Sequence, residues 1–209
     1  MISDCEKMNK NVEYIQIAID GTMASGKGTI ARGLSEKLGY EYFDTGVIYR
    51  KIGLFSLTLN SPNDIVNHLD SINIDSIDGD FRSLEAGQSA SKVAIIKEVR
   101  DFVTSYCREI AKNKNIIMDG RDIASVIMPN ADFKLFITAN LEERARRRFS
   151  ELGGLNSLED VLDAIKERDE RDSTREIAPL KPEKDSIIID NTHMSKEETL
   201  EHILNIIKK

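Results

Sequence analysis

With 209 residues the chain suits one domain carrying small insertions. At this length roughly two thirds of the unfolded surface can be buried, so neither a disulfide nor a metal is needed to staple the fold. Charged residues at 31% and hydrophobic ones at 40% argue against disorder. A net charge of −7 argues against general nucleic-acid or anionic-membrane binding, so any anion site must gather its cations locally.

The first residues, MISDCEKMNKN, place charges where a signal peptide needs an apolar core, and no apolar run approaches ~18 residues; a cytoplasmic protein is expected. Tyr14 to Asp20 is a short β-branched run, followed by a glycine-rich turn and by Ile30, Ala31, Leu34 and Leu38 at helical spacing up to Gly39. Glu41 to Asp44 reads as a second strand and Thr45 to Leu57 as a helix. Asn60 to Gly87 lacks a clear period and reads as a small insertion. Lys97 to Lys112 is helical, and Cys107 lies on its apolar stripe with Val99, Phe102, Val103, Tyr106 and Ile110, which makes it a core residue. Cys5 and Cys107 form no framework, and His68, His193 and His202 are scattered surface positions.

Asn115 to Gly120 and Asp132 to Ala139 read as further strands. Asn140 with Glu143, Ser157 with Asp160, and Ser195 with Glu198 have capping-box spacing, each opening a helix, and Ser186 to Asp190 is the last strand. Strands alternating with helices imply a parallel sheet covered on both faces, with ligands beyond the C-terminal strand ends. The loops after Asp20, Asp44, Asp119 and Ala139 are expected to share one cleft.

Gly21-Thr22-Met23-Ala24-Ser25-Gly26-Lys27-Gly28-Thr29 is a GxxxxGK loop between strand and helix. Glycines at 21 and 26 let the backbone curl so that successive amides face a polyphosphate, and the following helix adds its positive end. Lys27 then reaches the β- and γ-phosphates, a role that a merely flexible loop would leave unexplained. The residue after Lys27 is Gly28, not the Ser or Thr that often ligates magnesium, and the hydroxyl comes at Thr29. With no NKxD element downstream, a switch GTPase is disfavoured.

Arg168, Asp172 and Arg175 continue the stripe of Leu158, Val161, Leu162 and Ile165. Either they form an inward anion site or Arg168 and Asp172 make an ion-pair ladder at four-residue spacing. Arg144, Arg146, Arg147 and Arg148 crowd another helix, two or more of them as surface charges. Asp44-Thr45-Gly46 with Tyr49-Arg50, and Asp119-Gly120-Arg121-Asp122, fall on the ligand-binding edge or form capped turns.

Four segments, residues 17–50, 90–100, 118–148 and 165–182, resemble the bacterial-type cytidylate kinase family of P-loop nucleoside monophosphate kinases. The GKGT ending belongs to the same resemblance, although the loop reads GTMASGKGT where GPAGSGKGT is commoner. The resemblance implies an α/β three-layer fold with a central parallel five-stranded sheet, a nucleotide-binding insertion at about 58–96 and a lid at about 150–176. It implies transfer of the γ-phosphoryl group of ATP, with Mg2+, to CMP or dCMP in a monomer that binds neither nucleic acid nor membrane. The loop 21–29 would hold ATP, and Lys27, Arg121, Arg168 and Arg175 would be catalytic, with no protein residue assigned to metal. Carried over to matching positions, the acceptor site comprises Thr45, Arg50, Ser91, Arg100, Arg121, Asp122, Arg168, Asp172 and Arg175. Arg50, Arg121 and Arg175 would contact phosphate, Ser91, Arg100 and Asp122 the base, and Arg168 and Asp172 the sugar. Arg82 stands at a matching spacing from Ser91. Cytosine offers an amino donor beside two acceptors, so Asp122 can accept while Arg100 donates; uracil would set a carbonyl against the carboxylate. The alternatives are a P-loop kinase for UMP, AMP, shikimate or dephospho-coenzyme A, and an ATP-dependent binding module.

Overall fold

The β-branched run becomes β1 (Gln16–Gly21), the central strand of the sheet, in a computed structural model that describes residues 14–81, 83–153 and 157–208. Cys5 and Arg82 lie outside the described residues. The chain continues through α1 (Lys27–Leu38), β2 (Glu41–Asp44), α2 (Thr45–Ser56), α3 (Leu84–Val93), α4 (Lys97–Ala111), β3 (Ile116–Gly120) and β4 (Phe133–Thr138). It ends with α5 (Leu141–Glu151), α6 (Leu158–Thr174), β5 (Ile187–Asp190) and α7 (Lys196–Ile207). All five strands are parallel in the order β2-β3-β1-β4-β5.

Alternation along the strands builds the two sides of the sheet. Ala18, Ile116 and Met118 pack with Ile48, Ile52, Val99, Val103 and Cys107 from α2 and α4. Ile17, Ile19, Ile117 and Ile137 pack on the opposite face with Ile30 and Leu34 of α1 and Leu200 and Ile203 of α7. A strand covered on both faces has no polar side, which is why β1 is apolar at every position from Ile17 to Ile19. Three layers result, as the alternation of elements predicted. No helix among the described residues is long and apolar enough to cross a membrane.

Within 60–87 the structure is more regular than its sequence suggests. Short 3₁₀ turns cover Pro62–His68 and Ile74–Ser76, and α3 begins inside the stretch read as a small insertion without a clear period. Its buried stripe is made of Ala86, Ala90 and Val93, and small residues give little periodic signal. They allow close approach: a Cβ on Gly53 of α2 would lie 2.6 Å from the Ala90 backbone nitrogen.

The caps at Ser157 and Ser195 are reciprocal boxes, whereas Asn140 accepts from the Glu143 amide and the Glu143 carboxylate turns to Arg147. Leu158 is exposed, so the inward stripe of α6 starts at Val161.

Candidate functional site

The phosphate loop is held by several neighbours. At Gly21 a Cβ would stand 2.1 Å from the Ile137 carbonyl oxygen, so β1 and β4 approach too closely for any side chain. Gly26 caps α1 in the left-handed region, at φ 82°. Ser25 is fully buried, and its carbonyl accepts from Asn191 Nδ2 at 3.0 Å, which ties the loop to the end of β5. Asn191 in turn accepts two bonds from Arg147, at 3.0 and 2.9 Å.

A cleft of about 610 Å³ opens at the C-terminal strand ends. Ala24, Gly26, Lys27, Gly28 and Thr29 line one side of it. Thr45, Arg50, Ser91, Arg121 and Asp122 line the other, with Arg168, Asp172 and Arg175 of the α6 region above them. Gly21, Thr22, Met23, Ser25 and Arg100 are not part of the lining. Thr22 instead pairs its hydroxyl with that of Thr138 at 3.5 Å. The loops after β1, β2 and β3 share the cleft as expected, while the chain after β4 contributes through Arg148, Glu151 and Leu152 around the end of α5. A second cleft of about 460 Å³, between α2 and the 3₁₀ turns, is lined by Phe55, His68 and Ile72 among others and gathers no lysine or arginine.

Asp20 holds the opposite side of the cleft. Its buried carboxylate accepts from the amides of Ile123 and Ala124 at 2.8 and 2.9 Å, anchoring the turn that carries Arg121 and Asp122. Burial, partly offset by those two amides, raises Asp20 to about 6. The turn is wide, with Ile127 and Met128 donating to carbonyls five residues earlier. Asp122 leaves it to meet Arg100 of α4 in a buried ion pair, and Arg100 also donates to the Ala94 carbonyl. Thus Asp122 lines the cleft and Arg100 stands behind it.

Asp172 takes part in both arrangements considered for α6. It accepts from Arg121 Nε at 2.8 Å, and it keeps a longer ion pair with Arg168 Nε at 4.0 Å. The shorter contact ties α6 to the turn after β3. Of the four arginines on α5 only Arg146 is well exposed, at 71% of its side chain. That corrects the expectation of two or more surface charges: Arg144 is buried, and Arg147 and Arg148 are engaged with Asn191 and Glu151.

Among the described residues four buried side-chain atoms have no hydrogen-bond partner: Ser25 Oγ, Arg50 Nε, Arg168 Nε and Arg175 Nη2. Three of them are guanidinium donors of the cleft lining. Arg50 Nη2 donates to Asp44 at 2.7 Å and Arg175 Nε to the Ala178 carbonyl at 2.6 Å, so both planes are fixed while donors remain for a ligand.

The crowding of cations shows in their titration. Burial, then Arg121, lowers Lys27 to about 7, and the same two causes lower Arg168 to about 10. Burial and the neighbouring Arg100 also lower Arg175. Burial opposes the charge of Arg121, but Asp172 together with Asp169 and Asp119 outweighs it and raises the arginine. Asp172 is held below its usual range because Arg121 and Arg168 overcome its own desolvation. Charge that is desolvated and incompletely paired in a cleft marks a site for a polyanion.

Asp44 and Asp119 are register partners at the ends of β2 and β3. Asp119 is raised to about 6 by burial and by Asp44, and it accepts from the Tyr42 hydroxyl at 2.8 Å. No group of three or more metal-ligating side chains occurs among the described residues. Two carboxylates beside a phosphate loop nevertheless suit magnesium, which keeps its waters and takes its other ligands from substrate phosphates.

Sequence reasoning missed Asp20, Asn191 and Asp169, the last of which touches the loop from α6. Asp20 closes the apolar run of β1, and that position was the available signal. Comparison with known proteins gives the same reading of the whole chain. A family model described as cytidylate kinase matches residues 17–209. A cytidylate kinase of Caldicellulosiruptor bescii is 44% identical, over 95% of this chain and 97% of its own. One of Pseudothermotoga lettingae is 42% identical, over 91% and 92%. Among solved structures, a shikimate kinase of Bacteroides thetaiotaomicron covers 94% of this chain and 99% of its own with TM-score 0.53 at 13% identity. An uncharacterized protein of Eubacterium ventriosum covers the same shares with TM-score 0.60 at 14% identity. These two likenesses speak to the fold alone. By sequence over nearly its full length, and with a phosphate loop facing an arginine-lined cleft, the chain belongs to the cytidylate kinase family.

Proposed function

We propose that the protein transfers the γ-phosphoryl group of ATP to CMP or dCMP, giving ADP and CDP or dCDP. The observation that carries this reading is the gathering of Lys27, Arg50, Arg121, Arg168 and Arg175 around one cleft at the C-terminal strand ends. A single phosphate group would leave much of this positive charge unmatched, whereas two phosphate-bearing ligands would neutralise it.

The donor occupies the loop 21–29, with Lys27 on its β- and γ-phosphates. The acceptor phosphate lies among Arg50, Arg121 and Arg175, with Arg168 and Asp172 near the sugar. Asp122 accepts from the exocyclic amine of cytosine, held in place from behind by Arg100, and Ser91 supplies a further contact to the base. An oxygen of the acceptor phosphate, whose second pKa is ~6, is already deprotonated at neutral pH and needs no catalytic base. It forms a bond to the γ-phosphorus as the bond to the β-bridging oxygen breaks and ADP leaves. The protein's part is to align two repelling phosphates and neutralise the charge between them. Lys27, Arg121, Arg168 and Arg175 serve this directly. Asp44, Asp119 and Thr29 would hold magnesium, which would supply further charge neutralisation there.

The insertion at about 58–96 is the acceptor-binding element and residues 150–176 are the lid that excludes water. The test is a coupled ADP assay with ATP–Mg and a panel of CMP, dCMP, UMP, AMP and shikimate. Turnover with the cytidine nucleotides at least ~10-fold above the others is expected from base hydrogen bonding. A preference for another acceptor would refute the reading.

A further inference from the structure

Asp169 neighbours Arg168 in sequence but not in direction. On a helix of 3.6 residues per turn Arg168 and Asp172 share a stripe that continues to Arg175, and Asp169 is turned about 100° away. It meets the outer side of the phosphate loop. Asp169 Oδ1 accepts from the Met23 amide at 2.9 Å, and its other oxygen pairs with Arg144 of α5. Arg144 is buried and donates in addition to the Met23 carbonyl at 3.1 Å and to the Ala139 carbonyl at 2.9 Å. Both backbone polar groups of one loop residue are therefore taken by side chains of α5 and α6.

Packing repeats the connection. Met23 and Ala24 sit against Ala145, Val161 and Ile165, the small core between α5 and α6. Ala24 has φ 59°, a conformation costly for a residue with a Cβ, and it persists where its surroundings hold it. None of Met23, Arg144 and Asp169 lines the cleft. The contact works from behind the site and leaves its wall unchanged.

We propose that Asp169 is a positioning residue: with Arg144 it clasps α6 to the phosphate loop, so that occupation of the loop sets the placement of Arg168, Asp172 and Arg175 on the acceptor. The proposal rests on the phosphoryl-transfer reading and deepens it. Donor binding and acceptor alignment then share one mechanical link of polar contacts and packed side chains.

Hydrogen exchange with Mg–ADP as probe tests the link without turnover. In the wild type, nucleotide should slow exchange in both 21–29 and 158–174. In Asp169→Ala the loop should keep its protection and the helix should lose its response. Arg144→Gln, which opens the same clasp from α5, should behave alike, and the double variant should be no worse than the more affected single one. With ATP and CMP, kcat should fall ~10-fold or more through misalignment, with ADP affinity retained. A helix response that persists in both variants, that is absent from the wild type, or that is lost with kcat unchanged would overturn the clasp. Wild-type protein that fails to phosphorylate CMP would overturn the proposed function instead, and the exchange data would still report on the clasp.

Discussion

Replacing Asp122 separates what this carboxylate does for the fold from what it does for the base. Its side chain is 5% exposed and that of Arg100 4%, so the two form a desolvated ion pair. Truncation in Asp122→Ala strands the guanidinium with the Ala94 carbonyl at 3.2 Å as its remaining partner. Removing one member of such a pair costs about 3–5 kcal/mol. For a chain of this size each kcal/mol lowers Tm by about 2–4 °C, so a fall of roughly 6–20 °C is expected in a calorimetric melt. The double variant Arg100→Met with Asp122→Leu removes both charges and should recover most of that loss. Asp122→Asn keeps the volume and offers an amide nitrogen to the carbonyl of uracil. One discriminating hydrogen-bond pattern is worth about 1–3 kcal/mol, so the CMP-to-UMP ratio of kcat/KM should fall ~5- to ~150-fold. An Asp122→Ala variant that melts with the wild type would refute the buried pair, and an unchanged ratio in Asp122→Asn would remove Asp122 from base reading.

Lys27→Ala and Arg175→Ala should each cut kcat by ~100-fold or more while leaving the melt near that of the wild type, and near-normal steady-state rates in either would contradict the charge-neutralising role. Because burial and Arg121 lower Lys27 to about 7 in the free protein, a bound triphosphate should restore its proton. Uptake of ~0.9 proton at pH 8 and ~0.1 at pH 6 follows, with ATP affinity weakening as pH rises above 7. Calorimetry in two buffers of different ionisation enthalpy reads this, and zero uptake at pH 8 would refute it. Gly21→Ala drives a Cβ to 2.1 Å from the Ile137 oxygen, and forcing β1 from β4 should cost about 1–3 kcal/mol, a Tm loss of about 2–12 °C. An unaltered melt would show that the strands can separate freely.

The central strand and the phosphate loop were legible because their signals are local: a β-branched run, then glycines at fixed offsets. The arginines that line the cleft could be named one by one, but their partners could not. In a helix reading KERDERDSTR nearly every position is charged, and the pattern alone does not tell that Asp172 turns to Arg121 while Asp169 turns to Met23. The helix over Leu84–Val93 escaped because its buried side is alanine, which scarcely marks a periodicity. Arg100 was read as facing the base. Its burial behind Asp122 depends on the path of α4 beneath the turn after β3, and nothing within either segment encodes that path.

Asp20 belongs to the strand that launches the phosphate loop, yet it grips the Ile123 and Ala124 amides of the turn that follows Arg121 and Asp122. The two seats proposed for the substrates therefore stand on a common footing. Retargeting this scaffold to a new acceptor by grafting another turn after β3 would succeed only if the graft presented two amides to Asp20. A designer who exchanged β1 for a similar apolar strand without the acid would loosen the far seat while believing only the near one had been touched.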